Sequence, residues 1–85
     1  MNEIVHTINS PYYGTIEQVV TQPLDYVYEW ETLFLVKTGE GKLEHINVGV
    51  SGHLLSIEVS QGEEITPVTV LGTLRDDLLI TTGSD

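Results

Sequence analysis

The chain repeats itself. Gly14-x-Ile16-x-x-Val19-x-Thr21-x-x-Leu24-Asp25-x-Val27-x-x-Trp30-x-x-Leu33 recurs, at a constant offset and without a gap, as Gly52-x-Leu54-x-x-Ile57-x-Val59-x-x-Gly62-Glu63-x-Ile65-x-x-Val68-x-x-Leu71. So regular a duplication within 85 residues implies two copies of one supersecondary unit, related by an approximate twofold axis and closing a shared core. The expectation is one domain over residues 1–85, with repeat halves at about 9–36 and 47–74 and a central hairpin at about 34–48. That hairpin belongs to neither copy, which makes it the first place to look for function.

Local patterning is β throughout. Val, Ile, Thr, Tyr and Leu come in short stretches cut by Gly, Pro, Asn and Asp. Strands are expected at Glu3 to Ile8, Tyr12 to Thr21, Val27 to Val36, Lys42 to Val48 and Val68 to Leu74, with a last one at Leu78 to Thr82. Within Val27 to Val36, the Glu29-Trp30-Glu31 centre either pairs or loops. Gln22 to Asp25, Gly49 to Gly52 and Ser60 to Glu63 read as turns, as does Arg75-Asp76-Asp77. Pro67 marks an edge or a turn, and Gly14 a kink or a close backbone approach. Thr38-Gly39-Glu40-Gly41 reads as a hairpin tip, since glycine supplies the positive φ of tight turns. No window has a 3.6-residue period with caps, so no substantial helix is expected.

Two such units must bury their apolar faces on each other. The predicted fold is all-β, with two small antiparallel sheets packed face to face or a flattened barrel. Ile16/Leu54, Val19/Ile57, Val27/Ile65, Trp30/Val68 and Leu33/Leu71 are the expected core pairs.

Charge narrows the function. Three basic residues (Lys37, Lys42 and Arg75) face thirteen acidic ones, a net charge of −10. That surface repels phosphate backbones and anionic membranes, so neither nucleic acid nor membrane is an expected partner. It serves solubility, or docking to basic surfaces of proteins. No cysteine is present to form a disulfide or a thiolate metal site. The N-terminus lacks a basic start and an apolar stretch, and no segment reaches the ~20 apolar residues of a membrane span, so a cytoplasmic protein is expected.

The doubled Gly-x-(Ile/Val)-x-x-(Ile/Val)-x-Val-x-x-Gly-(Asp/Glu)-x-Val-x-x-Gly-x-x-Leu pattern around a central hairpin resembles the biotinyl/lipoyl attachment domains (biotin carboxyl carrier and lipoyl domains). Ser10-Pro11-x-x-Gly14 is similar to the Ser/Ala-Pro-x-x-Gly that opens each half of that family. The resemblance covers roughly residues 4–74. It implies a barrel-sandwich hybrid of two four-stranded antiparallel sheets with pseudo-twofold symmetry. It also implies a lysine at the hairpin tip whose amine is acylated by biotin or lipoate, the cofactor carrying the chemistry and the domain presenting it.

This chain departs from the family at that tip. Counted forward from Leu33 the lysine position falls on Glu40; counted back from Gly52 it falls on Gly41, so the hairpin is one residue longer. Lys42 is the nearest candidate for covalent attachment. Its surroundings, Lys42-Leu43-Glu44-His45, resemble the Lys-Met-Glu-His that follows many biotinyl lysines. Lys37, on the other arm, fits less well. Leu24 also replaces the first copy's turn glycine.

The favoured expectation is a non-catalytic, unmodified relative of the carrier domains that serves as a protein-interaction or assembly module, with no cofactor. The alternative is a swinging-arm carrier acylated at Lys42 by biotin or, less readily, lipoate, in a carboxylase or a 2-oxo-acid dehydrogenase. Expected partners are proteins: a biotin or lipoate ligase, or a multienzyme complex. Tyr12, Tyr13, Tyr26, Tyr28 and Trp30 crowd the first copy, as core or as an interface patch. His6, His45 and His53 lack metal-ligand spacing, and no nucleophile–base pairing is evident, so catalysis is not expected.

Overall fold

The computed structural model describes residues 4–76. Eight strands follow in order: β1 (Val5–Asn9), β2 (Gly14–Val19), β3 (Tyr26–Val27), β4 (Phe34–Thr38), β5 (Leu43–Ile46), β6 (Gly52–Ile57), β7 (Glu64–Ile65) and β8 (Val70–Asp76). They form two four-stranded sheets, ordered β1-β8-β6-β3 and β5-β4-β2-β7, with every pairing antiparallel. The described residues contain no helix. The architecture is the expected barrel-sandwich.

The two sheets are copies of each other. Exchanging each strand for the one 38 residues before or after it, the distance from Gly14 to Gly52, converts β1-β8-β6-β3 into β5-β4-β2-β7. The registers follow the same rule. Gly14↔Thr38 and Ile16↔Val36 become Gly52↔Asp76 and Leu54↔Leu74, and the irregularity between Ile16 and Gln18 recurs between Leu54 and Ser56. Such bulges bend a strand and sharpen its twist, which lets a short sheet curl over its partner.

Each half donates strands to both sheets, so neither half can bury its apolar face alone. Ile8, Ile16, Val27, Leu33, Phe34, Val36, Ile46, Leu54, Val59, Ile65, Leu71 and Leu74 form one core. Val19 and Ile57 are half-buried and pack against it.

The turns explain themselves chemically. Asp25 Oδ2 accepts from the Gln22 N–H (3.0 Å) and Thr21 Oγ1 (3.2 Å). In the second copy Glu63 Oε1 accepts from the Ser60 N–H at 3.0 Å. A carboxylate at the fourth turn position thus pairs with a backbone donor that the chain reversal takes out of the strand ladder.

Four expectations need correction. Trp30 and Val68 are not core: they are 66% and 86% exposed. Each lies at the third position of a β-turn, Tyr28–Glu31 and Thr66–Thr69, closed by N–H···O=C bonds of 3.0 Å. A turn residue projects past the sheet instead of into it. That first turn also divides the expected strand Val27 to Val36 into β3 and β4. The expected Val68 to Leu74 strand likewise starts only at Val70, after its turn.

Arg75 and Asp76 belong to β8, not to a turn. Arg75 pairs with both Val5 and His53, and the Asp76 N–H donates to Ile4 C=O at 2.8 Å. The first strand, remote in sequence, extends the last. The expected strand at Leu78 to Thr82 and the Asp77 end of that turn lie outside the described residues.

Candidate functional site

The central hairpin is built on a three-residue loop. The Thr38 N–H donates to Lys42 C=O and the Gly41 N–H to Thr38 C=O, both at 2.9 Å. Gly41 has φ +84°, the left-handed conformation that closes such a loop through a bulge. Gly39, Glu40 and Gly41 therefore form the tip, and the exposed Glu40 brings a carboxylate where the resemblance leads one to expect an amine.

Lys42 stands one position past the tip, as the closing residue. Its carbonyl accepts from Thr38 N–H, and its own N–H lies 3.3 Å from Thr38 Oγ1. Its side chain is exposed. Lys37 sits within β4, between Thr15 and Leu43 in the register, and is also exposed. The left-handed Gly41 fills the last loop position, and the nearest lysine stands beside the apex instead of on it. Shallow open troughs flank the hairpin, one bounded by Gly14, Lys37 and Glu64, the other by Pro11, Tyr12 and Lys42; they meet at Tyr13 and Gly39.

A second feature lies on the opposite sheet, at its β3 edge. Tyr26 pairs in register with His53, and the rings meet edge-to-face with centroids 5.1 Å apart. Tyr28 meets Tyr26 in the same manner, also at 5.1 Å. Such contacts stabilise a pair beyond simple area burial. The run continues into Trp30, whose N–H donates to Val48 C=O at 2.8 Å and whose benzo edge lies against Gly49. A side chain at position 49 would collide with the indole. Tyr28 and Trp30 nevertheless remain about two-thirds exposed. Tyr12, by contrast, packs on the core.

Trp30 has φ +67° and Leu24, 77% exposed, has φ +74°. Each is a large apolar residue in solvent and in a backbone region that costs an L-residue roughly 1–2 kcal/mol. The carrier-domain pattern places a glycine at both positions, so Leu24 and Trp30 each stand where the resemblance leads one to expect a residue free to adopt positive φ.

The histidines gather in no shared site. His6 Nε2 lies 2.8 Å from the buried Asp76 Oδ2, His45 Nδ1 lies 3.0 Å from Thr32 Oγ1, and His53 meets Tyr26 edge-to-face. Among the described residues, no three His, Asp or Glu side chains converge as a metal site would require. No helix among them is long and apolar enough to cross a membrane.

No family model matches the chain, and no curated protein matches it. Among solved structures it is similar to the urea carboxylase of Kluyveromyces lactis, with a TM-score of 0.78 and 14% sequence identity over 87% of this chain. The chain corresponds to only 6% of that protein's length. What the two share is a fold, in this chain the barrel-sandwich of eight strands around a central hairpin.

Proposed function

We propose that this chain is a non-catalytic biotinyl/lipoyl-like domain that remains unacylated and works as a protein-interaction or assembly module. The observation that carries this reading is the pair of exposed apolar residues at positive φ, Leu24 and Trp30, beside the exposed Tyr28. A fold gains nothing internally from holding such side chains in solvent at a backbone cost. Outliers of this kind cluster where a surface is used, and aromatic residues are enriched at protein interfaces. The hairpin supports the same reading, because its apex bears Glu40 between two glycines and no amine.

One observation favours a second reading, a carrier acylated at Lys42 with biotin or, less readily, lipoate. Lys42 is exposed, and both its backbone polar groups are bound to Thr38, so its side chain leaves a fixed point. The urea carboxylase that shares the fold makes a carboxylase the natural setting for such a carrier.

Intact mass after incubation with biotin and lipoate ligases, both cofactors and ATP decides between the two. An unchanged mass, beside a fully labelled control domain, is expected. A biotinyl or lipoyl amide that is lost in Lys42→Ala but retained in Lys37→Ala would establish the carrier instead. Capture of partners from an extract of the source cells should weaken with Tyr28→Ala and with Trp30→Ala while the fold, read by circular dichroism, is kept.

A further inference from the structure

The aromatic run on β3 is a property of one half of the fold only. The positions 38 residues on from Tyr26, Tyr28 and Trp30 are Glu64, Thr66 and Val68. Backbone pairing and turn closure are the same in both halves: Val27↔Gly52 matches Gly14↔Ile65, and the Tyr28–Glu31 turn matches Thr66–Thr69. The second half thus builds the same strand, and a turn closed by the same bond, without one aromatic ring, although Trp30 is at positive φ and Val68 is not. Tyr26, Tyr28 and Trp30 are not required by the architecture, and their chemistry calls for another account.

That chemistry is aromatic and acidic together. The segment reads Asp25-Tyr26-Val27-Tyr28-Glu29-Trp30-Glu31, and Val27 alone of these seven is buried. The Glu31 carboxylate touches the run directly, its Oε1 accepting from the Tyr28 N–H at 2.8 Å. An ionised carboxylate offers about four acceptor sites, so this bond leaves most of its capacity open. Asp25 uses Oδ2 for its turn, and Glu29 is exposed at the turn's second position.

Lys37 and Lys42 lie on the other sheet and its hairpin. Arg75 stands on the same row as Tyr26 with β6 between them, the two Cα atoms roughly 10 Å apart at ordinary strand spacing. Exposed ring faces bordered by three carboxylates form a site for an organic cation: the ring quadrupole attracts it and the carboxylates pair with it. The net charge of −10 raises its local concentration.

Resting on the interaction-module reading above, we infer that the β3 face, from Asp25 to Glu31, binds an arginine-bearing basic segment of a partner protein. Arginine fits better than lysine because its planar guanidinium stacks on aromatic rings while bonding carboxylates in a bidentate fork.

Trp30 is the one tryptophan of the chain, so its fluorescence reports on this face directly. The probes are a synthetic peptide of alternating arginine and glycine and its citrulline counterpart, which keeps the shape and loses the charge. The arginine peptide should change Trp30 emission saturably and less so at high salt, and the citrulline peptide should not. Glu29→Gln/Glu31→Gln should weaken binding by about fivefold or more; glutamine at 31 keeps the acceptor for the Tyr28 N–H.

Glu40→Gln/Glu58→Gln removes the same charge elsewhere and should bind like the parent. Equal losses in the two double variants would reduce the effect to net charge and overturn the site. A response to citrulline alone would overturn the basic class and leave the interaction module standing. No response to either peptide, together with acylation at Lys42, would overturn both.

Discussion

Leu24 and Gly62 occupy the same place in the two copies and share a left-handed backbone, with φ values of +74° and +91°. Both donate their N–H to a strand of the other copy, Leu24 to Leu54 C=O in β6 at 2.7 Å and Gly62 to Ile16 C=O in β2 at 2.8 Å. The turn therefore fixes φ whatever residue occupies it. Leu24→Gly should relieve roughly 1–2 kcal/mol of backbone strain against about 0.5–1 kcal/mol of added unfolded-state entropy. A gain of about 0.5–1 kcal/mol is expected in denaturant unfolding. Lower stability would mean that the leucine side chain offsets its own strain.

Gly14 and Gly52 are the other repeat-related pair. A Cβ on Gly14 would run into the Lys37 carbonyl, and one on Gly52 into the Arg75 carbonyl, backbone atoms that cannot swing aside. Gly52→Ala should cost about 3 kcal/mol, the upper range of overpacking effects. Gly39→Ala, with nothing within 4 Å of the new methyl, should stay within about 0.5 kcal/mol of the parent. Thermal melts of the two variants measure the contrast.

Trp30 and Leu33 are three residues apart and meet opposite environments. Leu33 is fully buried, and Leu33→Ala should cost about 2–5 kcal/mol. Trp30→Ala should change stability by less than about 1 kcal/mol, since it removes a largely exposed ring together with the contact on Gly49. The parent's emission should be that of a solvent-exposed indole, accessible to iodide quenching. A blue-shifted, quencher-resistant emission would place the indole in the core after all.

His6 and Asp76 hold the first and last described strands together side chain to side chain, 2.8 Å apart. Asp76 is buried, so His6→Ala takes a partner from a buried carboxylate, a loss of about 1–3 kcal/mol. Hydrogen exchange should speed up at the β1–β8 pairing before it does so in β2 and β4. Uniform acceleration would mean that the ends of the fold do not open separately.

Much of the fold was legible because the chain states it twice. Turn chemistry at Gln22–Asp25 and Ser60–Glu63, the glycine-closed hairpin and the core partners Ile16/Leu54, Val27/Ile65 and Leu33/Leu71 follow from spacing and residue type. Trp30 and Val68 misled because the repeat pattern assigns both to one class of position without saying which way that position faces. Conserved spacing identifies equivalent sites; only the turn decides that they point outward. The aromatic face was visible as a list of tyrosines in one copy, but not as a surface. Tyr26, Tyr28 and Trp30 become neighbours of His53 and Gly49 only through the pairing of β3 with β6.

By itself the sequence determined that the chain is all-β and doubled, where the central hairpin lies, and that no lysine occupies its tip. These follow from local rules: side-chain alternation, glycine and carboxylate turn chemistry, and residue counting. Tertiary structure alone decided how the halves interlock, that β1 extends β8 through Arg75 and Asp76, and that Leu24 and Trp30 are held strained in solvent. Those are relations between segments distant in the chain, and no local pattern encodes them, because their energies arise only when the two sheets close on one core.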